Sequence, residues 1–257
     1  MAARPADLVG TQIRTWRARR RLSQLDLALD AEISTRHLSF IETGRSRPSR
    51  AMLLRLAERL RIPPRERNVL LVAGGFAPAL PARTLDDPAL AAARRAVDQV
   101  LAAYEPYPAL AIDLHWNLVA ANAGIAPFLA EVAPHLLQPP LNVLRLSLHP
   151  EGLAPRIENL AQWRAYIFRR LEEQIEISAD PVLAALLEEL RAYPGDTGAS
   201  DEAEGIAILL KVRQGEHLLS FLSMTTVFGT PIDITLSELA VEAFLPADSE
   251  TADYLRG

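Results

Sequence analysis

The sequence predicts two domains of different fold class, an all-α five-helix unit followed by an α+β unit built on a small antiparallel sheet. A length of 257 residues suits two domains. Apolar residues recur at helical spacing near the amino terminus and alternate in strand fashion later, and the charge of the chain changes sign between the two parts. We place the domains at 1–75 and 87–257, joined by a proline-rich linker at 76–86.

The charge asymmetry indicates two separate tasks. Residues 1–75 contain 15 arginines, no lysine and 7 acidic residues, a net charge of +8. The rest of the chain contains 12 basic and 25 acidic residues, a net charge of −13. A strongly basic segment is typical of a surface that faces a polyanion, whereas a short arginine-rich segment can also be an ordinary solvated surface. The pattern within the first 75 residues decides between these two interpretations.

Composition excludes several classes of site. The chain has no cysteine, which excludes disulfides, thiol catalysis and thiolate-bound metals. The five histidines form no H-x-x-x-H pair, so no metal site is expected. No run of about 20 apolar residues could span a membrane, and no secretory signal is evident, so we expect a cytoplasmic protein. Nucleophile-elbow, phosphate-loop and dinucleotide motifs are missing, so we predict neither an enzyme nor a cofactor.

The first 75 residues predict a helix-turn-helix. Val9, Ile13 and Trp16 form the apolar stripe of a first helix at 6–20. Ser23 and Ser34 are good N-caps for short helices at 24–31 and 35–43. Pro48-Ser49 and Pro63-Pro64 open two further helices, the last of which stops at Gly74-Gly75. Two short helices joined by a tight turn, the second with a polar outer face, form this motif.

The segment LSQLDLALDAEISTRHLSFIETGRSRPS resembles the XRE (lambda-repressor-like) helix-turn-helix regulators, and the resemblance covers about residues 8–74. It differs at Glu32, where the family usually has a glycine with positive φ; a side chain there costs about 1 kcal/mol. In such regulators the third helix enters the major groove. The resemblance therefore implies that Thr35, Arg36 and His37 read base edges.

Further DNA contacts follow from the same resemblance. Gln24 and Ser39 lie at the family's phosphate-binding positions, and Arg45 and Arg47 follow the third helix, where they would fix register on the phosphates. Arg36 has the planar fork that binds guanine with two hydrogen bonds. The partner is double-stranded DNA, and we expect a homodimer on a palindromic operator.

Residues 87–257 alternate between strand and helix patterns. We predict a helix from Asp87-Pro88, a β-hairpin around 109–121, helices at 155–177 and from Asp180-Pro181, and three closing strands at 206–213, 217–228 and 232–244. The loop at 195–205 is acidic and expected to be mobile. Ile232, Ile234 and Leu236 alternate with polar residues, which is typical of a half-buried antiparallel strand.

This second part resembles the ligand-binding domain of MmyB-like transcription regulators, which has a PAS-like fold. The resemblance rests on EPYP at 105–108, WN at 116–117 with AN at 121–122, NVLRL at 142–146, HP at 149–150, WR at 163–164 and FGTP at 228–231. It implies an apolar cavity for a fatty-acid-like or other small lipophilic molecule and no membrane partner. The candidate ligand-binding residues are Trp116, Leu144, Arg145, Trp163, Phe168 and Phe221.

Alternatives remain open at several of these residues and for the domain itself. Trp116 and Trp163 can be ordinary core aromatics, Arg145 can form a surface ion pair, and His149 can be a loop histidine with a backbone partner. The second domain can instead be a ligand-free dimerisation scaffold or a DNA-tethered enzyme. The predicted function is a DNA-binding transcription regulator that senses a lipophilic ligand.

Overall fold

A computed structural model describes residues 5–195 and 208–257, with side chains from residue 8 onward. The chain divides into two compact units, the first containing the residues up to Ala82 and the second containing most of the chain from Arg83. The expected mobile loop at 195–205 lies, apart from its first residue, outside the described residues. No helix in the described ranges is long and apolar enough to cross a membrane.

The first unit contains the five predicted helices. Serine N-caps begin three of them: the hydroxyls of Ser23, Ser34 and Ser49 each accept a backbone N–H of the following turn. Fully buried aliphatic side chains from every helix form one apolar core. The helices are α1 (Pro5–Arg19), α2 (Gln24–Asp30), α3 (Thr35–Glu42), α4 (Arg50–Arg59) and α5 (Pro64–Ala73).

A glycine allows α1 to cross α3 closely. A Cβ atom built on Gly10 would lie 2.5 Å from the carbonyl oxygen of Ile41 and 2.7 Å from that of Glu42. Both contacts are with backbone atoms, which cannot yield as a flexible side chain does. The glycine therefore sets the distance between α1 and the helix predicted to enter the DNA groove.

The second unit is an α+β domain, as predicted. Its five strands form one antiparallel sheet in the order β2-β1-β5-β4-β3. The strands are β1 (Ala109–Ile112), β2 (Leu118–Ala121), β3 (Leu210–Gln214), β4 (His217–Val227) and β5 (Ala240–Pro246). The helices are α6 (Ala91–Ala103), α7 (Ala126–Leu129), α8 (Val143–Leu148), α9 (Leu160–Ser178), α10 (Pro181–Ala192), α11 (Ile234–Ser237) and α12 (Ser249–Arg256).

The two faces of the sheet pack against different helices. All four residues of β1 are buried. Ala109 and Ala111 belong to a small apolar cluster with Val97 and Leu101 of α6. Leu110 and Ile112 point to the opposite face, because successive strand residues alternate, and join the main core with residues of α8, α9 and α10. The main core therefore lies on the face of the sheet away from α6.

Two predicted elements need correction, and a closing helix was missed. The predicted strand at 232–244 was wrong in its first half: Ile234–Ser237 is a helical turn, and the strand begins at Ala240. Pro231 precedes this turn, and an alternation over only five residues fits a turn as well as a strand. The helix predicted at 155–177 begins at Leu160, because Ile157 forms a bridge with Val212 of β3. A closing helix, α12, was missed although Asp248 caps it.

Candidate DNA-binding surface and ligand cavity

The first turn of α3 presents the predicted base-reading residues. Leu38 and Ile41 are fully buried, so the first turn of α3 presents its other side chains outward. Arg36 is exposed, and its guanidinium lies 5.4 Å from the centre of the Phe40 ring. Thr35 and His37 are half-buried. A cation held over an aromatic ring loses little freedom when it binds, because the ring already restricts it.

The turn before α3 has a residue in the left-handed conformation at Glu32, where the sequence departs from the family's usual glycine. Glu32 has a φ of 55°, in the left-handed region that favours glycine. The turn therefore keeps its geometry without glycine, at a cost of about 1 kcal/mol.

Gln24 and Ser39, predicted to contact phosphate, are both half-buried. The Gln24 amide donates to a Glu42 carboxylate oxygen at 2.8 Å, which orients its side chain. Arg45 and Arg47, in the loop between α3 and α4, are exposed. Within the part of the chain that the structure describes, neither arginine forms an ion pair with a carboxylate. Both charges are therefore presented to solvent.

A buried carboxylate connects the first three helices. The Glu42 side chain is fully buried and accepts hydrogen bonds from Arg17 at 2.6 and 2.9 Å and from Gln24. Burial alone would raise the pKa of Glu42, but these hydrogen bonds and the charges of Arg17 and Arg14 hold it below its usual range. The carboxylate stays ionised and fixes α1 and α2 against the end of α3.

The second unit contains an apolar cavity of about 100 Å³, which we call the inner cavity. It lies beside the inner face of the sheet. Aliphatic and aromatic side chains line most of it, with a few polar groups on one side. Its lining residues are Pro108, Leu110, Trp116, Ile125, Phe128, Leu129, Val143, Leu144, Leu146, Ser147, Leu153, Trp163, Tyr166, Ile167, Arg170, Leu210, Val212, Phe221, Ser223, Glu242 and Phe244.

Four of the six predicted ligand residues line the inner cavity, namely Trp116, Leu144, Trp163 and Phe221. The two tryptophans are also core residues, and each indole N–H is satisfied. Trp116 donates to Gln174 at 2.8 Å, and Trp163 donates to the Ser147 hydroxyl at 3.0 Å. The two tryptophans therefore belong to the core and line the inner cavity at the same time.

Arg145 and Phe168 are not among the residues that line the inner cavity. Arg145 forms two hydrogen bonds of 2.7 Å with the carboxylate of Glu189, which is the surface ion pair considered as its alternative. Phe168 is half-buried, with the guanidinium of Arg164 5.3 Å from its ring centre. Arg145 is therefore held by Glu189, and Phe168 packs against the edge of the main core without lining the inner cavity.

The polar side of the inner cavity is an ion pair that the sequence analysis missed. Arg170 of α9 donates to both oxygens of Glu242 in β5, at 2.5 and 3.2 Å, and lies 4.5 Å from the centre of the Trp116 ring. The hydroxyls of Ser223 and Thr225 also donate to Glu242. Burial opposes the charge of Arg170, but its hydrogen bonds to Glu242 raise its pKa overall. An acid within the apolar run AVEAF was the available signal.

A histidine pair is the second feature that sequence spacing did not show. His135, His149 and Glu151 each place a metal-ligating atom within 4.8 Å of the others. The His149 ring, however, accepts the backbone N–H of Glu151 at 3.1 Å, which confirms its interpretation as a loop histidine with a backbone partner. A metal at that nitrogen would have to replace this hydrogen bond.

An exposed, basic helix-turn-helix in one unit and an apolar cavity in the other define a DNA-binding transcription regulator with a ligand-binding domain. The description "Helix-turn-helix" matches residues 13–67, and the description "MmyB-like transcription regulator ligand binding domain" matches residues 93–257. The second match covers more than half of the chain, and the chain belongs to the MmyB-like transcription regulators.

Among solved structures, the clp gene regulator ClgR from C. glutamicum is similar to part of the chain. The two share 22% sequence identity over 29% of this chain and 92% of that chain, with a TM-score of 0.26. No curated protein sequence matches this chain.

Proposed function

We propose that the protein binds a palindromic operator as a homodimer and that a small lipophilic molecule in the inner cavity changes its affinity for that operator. The observation that carries the proposal is the inner cavity itself, whose walls are almost entirely apolar while one side offers Arg170 and Glu242. Ligand sites in proteins combine apolar walls with a few convergent polar groups.

A fatty-acid-like ligand is the chemical class that we propose. An acyl chain fits the aliphatic and aromatic walls, and a carboxylate head can accept from Arg170 or from the hydroxyl of Ser147, which line the same cavity. We also propose that the domain is PAS-like, which its five-stranded antiparallel sheet supports. The ligand-free scaffold is the competing function, and an apolar cavity with charged groups favours a ligand over it.

On the DNA side, we propose that Thr35, Arg36 and His37 contact base edges and that Gln24, Ser39, Arg45 and Arg47 contact phosphates. The exposure of the three arginines supports these roles. Two copies of α3 in a dimer would reach half-sites about 34 Å apart, one turn of the double helix.

Two measurements test this proposal together. Solvent extraction of the purified full-length protein followed by mass spectrometry should release a lipophilic acid in about equimolar amount. The fluorescence anisotropy of labelled operator DNA should then change when that acid is added back. Recovery of no lipophilic molecule, together with operator binding that ignores added fatty acids, would support the dimerisation scaffold instead.

A further inference from the structure

The inner cavity is small for the ligand class proposed above. Its volume of about 100 Å³ lies below the 300–1,000 Å³ that is usual for small-molecule sites. An apolar cavity of about 150 Å³ in another protein accommodates benzene, with six heavy atoms. The inner cavity alone therefore accommodates a short ligand but not a long acyl chain.

A second, larger depression lies beside the inner cavity. It has a volume of about 410 Å³, and we call it the outer cleft. Exposed residues form much of its rim, among them Glu105, Pro127 and Tyr254. Together the two spaces fall within the usual range of ligand sites. What separates them therefore decides how long a ligand can be.

Phe128 of α7 separates the two spaces. Among the described residues, it is the one that lines both the inner cavity and the outer cleft. The Phe128 side chain is buried, and its ring packs edge-on against Phe221 with a centroid distance of 5.8 Å. A ring in this position closes the inner cavity toward the cleft.

Hydrogen bonds fix the backbone around Phe128, but none restrains its side chain. The carbonyl oxygen of Phe128 accepts from the Arg156 guanidinium, and that of Pro127 accepts from the Gln214 amide at 3.3 Å. Arg156 also donates to Gln214 at 3.2 Å, so the two anchors support each other. Packing contacts alone hold the ring, so a change of its side-chain rotamer can move it without moving the backbone of α7.

We infer that Phe128 determines the size of the ligand that the protein binds. Its ring limits the inner cavity to short ligands. A longer ligand binds only when the ring is displaced, and it then occupies an extended chamber that includes the outer cleft. This inference rests on the proposed ligand-binding function. It assigns to one residue the choice between short and long ligands, whereas the Arg170 and Glu242 side of the cavity selects the head group.

A series of straight-chain alcohols from butanol to decanol tests the partition without requiring a carboxylate. Isothermal titration calorimetry with the full-length protein should show affinity that no longer rises beyond pentanol, whose six heavy atoms are the number that an apolar cavity about half as large again accommodates. In Phe128→Ala the affinity should continue to rise, by up to about fourfold per added methylene, because each methylene then enters apolar space. Decanol should consequently bind at least about tenfold more tightly than to the wild type.

Phe244→Ala is the matched control. Phe244 also lines the inner cavity and packs edge-on against Phe221, but it does not line the outer cleft. The control should add room for one or two methylenes without extending the series to decanol. Phe128→Leu should extend the series less than Phe128→Ala, and circular dichroism melting verifies that each variant is folded.

The results separate the two proposals. An equal chain-length profile in wild type and Phe128→Ala would overturn the size role of Phe128, as would an equal extension by Phe244→Ala, or no alcohol binding to any folded variant. Failure of the fatty-acid function has a different signature: alcohols bind with the expected profiles, but the corresponding alkanoates do not.

Discussion

Of the three residues proposed to contact base edges, Arg36 is the one whose removal should change sequence discrimination most, because its guanidinium can form two hydrogen bonds with one base. Its side chain is exposed at the first turn of α3 and carries its charge over the Phe40 ring. Arg47, in the following loop, is exposed in the same way but lies outside the helix. The positions of the two arginines predict different consequences when each is removed.

Arg36→Ala should weaken binding to the preferred operator by about 1–3 kcal/mol and relax the sequence preference, because the variant loses a bidentate base contact. Binding to operator variants with each base pair changed in turn, measured at fixed salt, verifies this. An equal loss on every sequence would instead assign Arg36 to a phosphate.

Arg47→Ala should weaken binding to all sequences alike. The slope of the logarithm of the binding constant against the logarithm of the salt concentration should fall by about one unit, because one phosphate contact fewer releases about one counterion fewer. Arg59→Ala, an exposed arginine at the end of α4, is the control for lost charge at another place. If both variants keep the wild-type slope, Arg47 is not a phosphate contact.

At the scale of elements, the sequence predicted what local signals specify. Serine caps and apolar stripes located all five helices of the first unit within one or two residues, and the hairpin of β1 and β2 was also found. Elements whose bounds depend on distant contacts were placed less accurately, and α12 was missed in spite of its local cap at Asp248. The start of α9 depends on Asn159, whose side chain bonds the backbone of Leu209 and Lys211, about fifty residues away. No periodicity within the helix reveals such a partner.

The residues of the candidate sites also divide into those that local sequence signals predict and those that only the fold brings together. The exposure of Arg36 follows from the helical period of α3, and that of Arg45 and Arg47 from their position in a polar loop, so all three could be predicted. The Arg170–Glu242 pair joins α9 to β5 across the sheet, and its partners are 72 residues apart in the chain. Only the fold brings them together, which is why the sequence pointed to Arg145 as the charged ligand residue instead.

The junction of α1, α2 and α3 predicts a stability change. Glu42→Gln should destabilise the first unit by about 3 kcal/mol, because Arg17 loses its buried charged partner. The folded pKa of Glu42 is lowered, so its contribution is fully present above the usual value of 4.5 and is lost as the pH falls through the lower folded value. The difference between the variant and the wild type should therefore shrink in strong acid.

Urea unfolding at pH 7 and at pH 3 measures the difference in the free energy of unfolding between the variant and the wild type. Hydrogen exchange of the amides in α1 measures the same difference locally. Glu58→Gln removes an exposed carboxylate from α4 and should leave the stability within about 0.5 kcal/mol of the wild type. A Glu42→Gln variant as stable as the control at pH 7 would show that the buried ion pair contributes no net stability.

At the scale of the whole molecule, the protein joins a unit that recognises a polyanion to an acidic unit with an apolar cavity. Any effect of ligand on DNA binding must then be reciprocal, because the two binding free energies share one thermodynamic cycle. If ligand changes operator affinity by a given factor, saturating operator DNA must change ligand affinity by that same factor.

Calorimetric titration of the recovered lipophilic ligand with and without saturating operator DNA, compared with operator titrations with and without ligand, measures both factors. Couplings of about 5- to 150-fold are typical of regulated proteins. Unequal factors would indicate that an additional species, such as a change of oligomeric state, enters the cycle. A factor of one in both directions would remove the ligand from the regulation of DNA binding.

The side chains of β1 alternate between the two faces of the sheet, so this strand contacts both the inner cavity and α6. On one side of this strand, Leu110 borders the inner cavity. On the other side, Ala109 and Ala111 pack against α6. Alanine has no rotatable side-chain carbon with which to absorb a displacement. A ligand that displaced Leu110 would therefore shift the backbone of β1 against α6 with no flexible side chain between them.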